Sequence, residues 1–514
     1  MKPPRTPWVR TAALLSSLGM AAVTLAACGS SSADSSDGPT PVAQDGMTLL
    51  TGSEPRSMNC AEVVAYDQMI SSGFVERLVF TDSNFQPVKT GLVDDWKQTG
   101  PTTWEIHARE GVTFSNGEPW NAQALKFSLD TLRTTPGSVT AFFAPFQKVS
   151  VADDYTVHVE LNAPNAAVPS LLAFGCGFPP AYYEKVGAQG FGQKPIGTGP
   201  YVLKRWTSGQ QVTAEANPNY WGGEPKLKTI TWKFVPDQTT RANLLISGGG
   251  DVALDMPVDR VDAIESAGLE VTTFKIGDQR NIQMNKEKAP LDDPNLRKAV
   301  AMAVDRDAIV DALFGGEGVG AELATQFFPP VFETTGSSEH AYDPEGAREL
   351  VEQADAAAVT LHYTVGRYSK DREVGEAVAG MLEAVGFKVR RVEMDGSEFF
   401  AKKSDPGFDG LWIAAGAAVL PHPDVLVHAF LGSNPTTKYC TGEVYDTEGA
   451  AGLAAADPAE MHAIYTRIED QVLNQDICFV PLYLSNGIAG LKDGVDFEAG
   501  YDTLVNYRTL GWEG

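Results

Sequence analysis

The chain has 514 residues, 43% of them hydrophobic and 21% charged, with 40 Lys+Arg against 66 Asp+Glu and a formal net charge of -26. That acidic balance argues against nucleic acid or an anionic lipid surface as partner, since phosphate binding needs a basic footprint. Beyond the N-terminal segment no long apolar run recurs, so the rest reads as globular and long enough for two or three domains.

Lys2, Arg5 and Arg10 form a positive start, and Thr11 to Ala27 follow without a charge, rich in Ala and Leu. A permanent membrane helix needs about 20 apolar residues, so this weaker stretch suits a secretory signal over residues 1–27. Leu25-Ala26-Ala27-Cys28 resembles the lipobox of bacterial lipoproteins. The resemblance implies an acylated Cys28 as first mature residue, a net charge of -29 once the three basic residues are removed, and attachment to the outer face of the cell membrane. An ordinary signal peptide cut near Ala27 is the alternative. Ser30 to Gln44 has too few apolar side chains to pack, so residues 28–45 read as a flexible linker.

Strands follow by alternation: Trp104, Ile106 and Ala108; Tyr155, Val157, Val159 and Leu161; Ile230, Trp232 and Phe234; Val359, Leu361, Tyr363 and Val365. Asn121 caps a helix with Leu125, Leu129 and Leu132 on one face. Asp293-Pro294, Asp343-Pro344 and Asp457-Pro458 each set a capping carboxylate before a proline at the first helical position. The last helix runs through Met461, Ile464, Tyr465, Ile468 and Val472. Another, with Val374, Val378, Met381 and Val385, stops at Gly386 before a strand from Phe387 to Val392. The class is α/β without internal repeats.

Four cysteines remain, Cys60, Cys176, Cys440 and Cys478, none in a CxxC pair. Outside the cytoplasm an even count points to disulfides, with three connectivities open; their distribution favours Cys60 with Cys176 and Cys440 with Cys478. A zinc site is the rival, without ligand spacing to support it. No GxSxG, GxxxxGK[ST], HExxH or helix-opening GxGxxG is present, and IGTGP at Ile196 to Pro200 leads into a strand where a phosphate cradle needs a helix. The seven histidines are scattered singly, and His158 and His362 fall on the polar face of alternating strands, which reads as solvated surface. The sequence therefore offers no catalytic residues, no metal site and no cofactor, and an enzyme is unsupported.

The stretch GTGPYVLKRWTSGQQVTAEANPNYWGG, Gly197 to Gly223, resembles the signature of the peptide- and nickel-type extracellular solute-binding proteins of bacterial ABC importers (family 5). Three further blocks are similar in the expected order: LVFTDSNFQPVKTGLVDDW (Leu78 to Trp96), WEIHAREGVTFSNGEPWNAQALKFSLDTL (Trp104 to Leu132) and MNKEKAPLDDPNLRKAVAMAVDRDAIVDALFGGEGVGA (Met284 to Ala321). CFVPLYLSNG, Cys478 to Gly487, resembles the family's return strand. Much of this has a scaffold reading. Asn116-Gly117 makes a turn, Tyr220 and Trp221 pack, and Arg297, Asp305 and Arg306 occupy the polar side of an amphipathic helix as a structural ion pair.

The resemblance implies a two-lobed, hinge-closing fold of the periplasmic-binding-protein type (type II), with an extra α/β domain inserted in lobe I. Lobe I would comprise residues 46–78, 187–280 and 486–514, the inserted domain 79–186, and lobe II 281–485. The chain would cross between lobes near 280 and 485, making Arg280, Asn281 and Leu484 to Gly487 hinge candidates. The implied partners are a small solute, the permease subunits and, through the lipid on Cys28, the membrane; the implied state is a monomer.

The peptide-binding branch carries an aspartate that neutralises a peptide's amine, yet FDGLWIAAGAAVLPHPDVLVH, Phe408 to His428, has Ala417, Ala418 and Val419 where that acid is expected. Asp424 either takes over the role, favouring an amino-bearing ligand, or caps the next helix. His422 offers a metal-chelate contact or simply flanks that helix. GSEPRSMNC, Gly52 to Cys60, stands where the family lines the cleft, with Met58 and Asn59 near ligand and Arg56 facing a carboxylate or sugar hydroxyl, or else as a plain connection. A Cys60–Cys176 bridge would stiffen one wall. Phe174, Phe178, Trp412 and Tyr483 are the aromatic contact candidates, each also readable as core. A peptide-like solute leads; a nickel or other metal chelate, an oligosaccharide, or reuse of the fold by an enzyme or envelope factor are the alternatives.

Overall fold

The computed structural model describes residues 45–63, 67–137, 139–354, 357–403, 409–433 and 440–513. The expected signal, Cys28 and residues 28–44 of the expected linker lie outside the described residues.

One 11-stranded sheet organises the molecule. Its ten-strand path runs 388–394, 358–364, 411–417, 270–284, 479–491, 252–253, 46–51, 229–234, 211–216, 201–207, with Ala321–Leu323 added alongside 479–491. Each end holds an α/β unit. At one end the strands Ala358–Thr364 and Lys388–Met394 pair in parallel, joined by the helix Asp371–Ala384. Gly386 at φ 108° makes the left-handed turn between helix and strand that a side chain would strain. At the other, Gly46–Thr51 lies parallel to both Thr229–Phe234 and Val252–Ala253, with the helix Gln238–Ile246 between the latter two.

Two long antiparallel strands, Glu270–Met284 and Phe479–Leu491, run through both ends. Their first partners are Val252–Ala253 and their last Leu411–Ala417, so one hydrogen-bonded ribbon joins the two halves. A separate antiparallel sheet, 93–100, 103–108, 156–161, 146–151, packs the helix Ala122–Thr134 through Leu125, Leu129 and Leu132, all fully buried.

The predicted caps form as local chemistry dictates. Asn121 accepts from Gln123 and Ala124, Asp293 from Asn295, Asp343 from Gly346 and Asp457 from Ala459. Both disulfides, Cys60–Cys176 and Cys440–Cys478, are present.

Three sequence expectations fail. Asp305 and Arg306 belong to the helix Arg306–Phe314, separate from that of Arg297; Asp305 caps it by accepting from Ala308 N at 2.9 Å, while Arg306 Nη2 donates to the His340 carbonyl at 3.4 Å in place of an ion pair. His362 is buried rather than solvated, its ring stacked on Trp412 at 4.6 Å, because Trp412 and the helix Gly396–Lys403 side cover the face that alternation left open. Arg297 is 6% exposed, and in place of a surface ion pair its guanidinium donates to the carbonyls of Leu291 and Asp476, each at 2.7 Å.

Candidate functional site

Both ends of the Gly197–Gly223 block meet on one buried carboxylate, Glu76. It accepts from Thr198 Oγ1 at 2.9 Å, Tyr220 Oη at 2.6 Å, Trp221 Nε1 at 2.6 Å and Arg508 Nη2 at 3.1 Å. Three chain segments are thereby fixed around a group 3% exposed. Its partners fill it from all sides, so this is scaffold.

The chemistry lies where the ribbon passes from one half to the other. In open α/β sheets ligands gather at the carboxyl ends of parallel strands. Here the loop after Ala358–Thr364 meets the turn after Val252–Ala253 through an ion pair, Lys370 Nζ to Asp259 Oδ2 at 3.3 Å, so those ends of the two halves face each other. The ribbon's register shifts between Lys275 and Gln279 and again between Arg280 and Asn281, which frees the strands from a rigid ladder at this point. Gly277 donates to the Tyr501 carbonyl at 2.9 Å and accepts from Ala418 at 2.7 Å; a Cβ there would stand 2.8 Å from the Tyr501 ring.

Arg280 dominates the crossing. Its side chain is 5% exposed, bonded through Nη1 and Nη2 to both oxygens of Asp278, with Tyr368 face-on at 3.6 Å from Cζ and Tyr483 opposite in the ladder. Burial alone lowers the pKa of a guanidinium, but Asp278 reverses that and holds Arg280 above its ordinary value. Arg367 also packs on Tyr368, 4.9 Å from the ring centre. Asp371 orders the loop by accepting from the backbone N–H groups of Gly366, Arg367 and Tyr368.

A second cluster lies beyond the strand Leu411–Ala417. Its loop reaches the segment before the predicted wall, where Ser170 Oγ donates to the Pro421 carbonyl at 2.9 Å, and Ala166 N donates to Leu453 O nearby. Burial, with His462 adding, drives His422 down to about 3, so its imidazole is neutral and its Nδ1 accepts from the Asp424 backbone N–H at 3.3 Å. Asp424 opens the helix Asp424–Phe430 without capping it; its carboxyl accepts instead from Tyr465 Oη at 3.4 Å, and burial raises it to about 7 against that hydrogen bond. Behind the cluster Glu469, also raised to about 7 by burial, clamps Phe327 and Phe328 by their backbone N–H groups at 2.8 and 3.0 Å.

The remaining sequence candidates have these positions. Arg56 is exposed, paired with Asp67 at 2.6 Å, and lines a surface hollow of about 670 Å³ with Glu54, Lys194, Arg205 and Trp206. Met58 is fully buried. Asn59 donates to Tyr183 Oη at 3.2 Å. Phe174 packs edge-on to Phe142 and Phe178 to Tyr183 and Phe191, deep in the main core. Trp412 sits between His362 and Phe399, and Tyr483 against Phe314 at 4.6 Å. Tyr368, Lys370 and Asp259 were not singled out from sequence; GRYSKD directly after a predicted strand was the available signal. Among the described residues no three His, Cys, Asp or Glu side chains are placed to hold a metal ion, and no helix is long and apolar enough to cross a membrane.

A two-lobed α/β architecture joined by crossing strands, with the buried Arg280–Asp278 pair at the crossing, is a fold of the periplasmic-binding-protein type. The structure superposes on an ABC transporter substrate-binding protein CtaP from Listeria monocytogenes with a TM-score of 0.81 at 20% identity, covering 91% of this chain and 100% of that one. It superposes on a dipeptide-binding protein from Pseudoalteromonas sp. SM9913 in complex with Met-Leu with a TM-score of 0.79 at 19% identity, covering 91% and 100%. In sequence it is 29% identical over 436 residues to the glutathione-binding protein GsiB of Salmonella typhi, 81% of this chain and 84% of that protein. The family model "Bacterial extracellular solute-binding proteins, family 5 Middle" matches residues 87–438, and the chain belongs to this family of ABC-importer substrate-binding proteins.

Proposed function

We propose that the chain captures a polar, peptide-like solute between lobe I (46–78, 187–280 and 486–514) and lobe II (281–485), with residues 79–186 as the inserted domain, and delivers it to an ABC permease. A lipid on Cys28 holds the monomeric receptor at the outer face of the membrane, where the tether raises its effective concentration near the permease. The observation that carries this reading is the Lys370–Asp259 contact, which brings the strand ends of both halves together over Arg280. Tyr483 adjoins that guanidinium, and His422 and Asp424 line the loop that reaches Ser170. The glutathione-binding and dipeptide-binding relatives support a small peptide as cargo.

Ligand stabilises the closed form only by contacts made to both lobes. Thermal melting of the full chain against glutathione, di- and tripeptides, oligosaccharides and nickel chelates tests the reading. Saturable stabilisation by a peptide that is recovered unaltered supports it. Stabilisation by a sugar or chelate alone, or turnover of the peptide, overturns it.

A further inference from the structure

The charge that the cleft recognises can be read from Arg280, given the receptor reading above. A guanidinium carries five N–H donors in a fixed fork. Asp278 takes one from Nη1 and one from Nη2, and among the described residues no other protein acceptor meets Nε or the remaining Nη donors. Tyr368 covers the guanidinium face at 3.6 Å and removes water there without supplying an acceptor. A largely desolvated guanidinium with donors to spare is a bidentate receptor for a planar anion.

The neighbouring acids do not compete for those donors. Asp259 is engaged by Lys370, and Asp371 by four backbone N–H groups. Ala417, Ala418 and Val419 put no carboxylate on the adjoining loop, while Arg367 adds a second guanidinium over Tyr368. Asp278 already offsets one charge, so a singly charged, flat group suits the remaining edge better than a phosphate.

We propose that Arg280 binds a carboxylate of the cargo side-on, through Nε and an Nη, and makes this receptor selective for solutes with a free carboxylate. The anchoring group is then anionic, where an aspartate-lined cleft would select an amine.

Isothermal titration of the full chain with glutathione and trialanine, each as free acid and as C-terminal amide or ester, tests this. The free acid binds about tenfold tighter or more, as expected for a charge-assisted pair. Arg280→Gln brings both forms to the same affinity, and Asp278→Asn tightens the free acid severalfold. Equal affinities in the unmodified protein, or a preference that survives in a folded Arg280→Gln, overturn the proposal. Should no peptide bind, the peptide reading falls separately, and Arg280 is tested by ¹⁵N-arginine NMR with glutarate as probe. A shift of the Nε signal that is missing in Arg280→Gln supports the anchor, and no shift overturns it.

Discussion

Replacing Glu76 by alanine removes the acceptor on which four side chains from three chain segments depend. Thr198, Tyr220 and Trp221 each lose their carboxylate partner in a site 3% exposed, whereas Arg508, 31% exposed, can turn to water. An orphaned buried donor costs about 1–3 kcal/mol, and Arg508 Nε, which donates to Tyr220 Oη at 2.6 Å, cannot accept the hydrogen bond that Tyr220 gives to Glu76, so Tyr220 counts in full. Leaving Arg508 out of the count, three donors give at least about 3 kcal/mol, and the range for breaking a buried charged network puts the total at about 3–5 kcal/mol. At roughly 1 °C per kcal/mol for a chain of this size, melting falls by about 3–5 °C. Glu76→Gln retains one acceptor but turns an NH₂ toward other donors, and loses about half as much. Calorimetric melting of the full chain measures both. A Glu76→Ala melting point within about 1 °C of the parent, a loss of about 1 kcal/mol or less, would refute the assignment of Glu76 as the hub.

Three other outcomes follow from the structure. Burial raises Glu469 from its ordinary value to about 7, so between about pH 4.5 and 7 the folded state holds a proton that the unfolded state has released. Its contribution therefore weakens as pH rises through that window, and Glu469→Gln, compared with the parent by urea midpoints from pH 4.5 to 8, removes that decline; parallel curves would contradict it. Opening Cys440–Cys478, which encloses 38 residues, costs about 4 kcal/mol by chain entropy, and opening Cys60–Cys176, which encloses 116, about 5, so reductant lowers melting steeply. A loss under about 1 kcal/mol for both, where about 4 or more is expected, would remove them as staples. Gly277→Val drives a branched side chain into Tyr501 and the Ala418 carbonyl at the crossing, and weakens peptide binding by about tenfold through a displaced ribbon; unchanged affinity would show that the crossing does not govern the cleft.

The parts of this structure written locally were legible in the sequence. Asp-Pro caps, alternating strands and the Gly386 stop depend on neighbours within a few residues, and each formed where it was read. His362 and Arg297 were misread because their burial comes from segments far along the chain, the Trp412 strand and the Asp476 carbonyl. The crossing was legible in part. Arg280 was placed at a hinge, but its partner Tyr368 lies 88 residues on, and Lys370 meets Asp259 across 111, so spacing could not join them. Asp424 was left between anchor and cap; the structure shows it opening its helix but bonded to Tyr465, on a helix whose contact with it no local pattern encodes.

Native mass spectrometry of the full chain, purified from its own host, tests the central claim most directly. The account predicts one non-covalent adduct with the mass of a small, unaltered, carboxylate-bearing solute, released on denaturation and rebound on refolding. A protein that carries no adduct and accepts none from a host extract, or an adduct chemically changed by the protein, would contradict it.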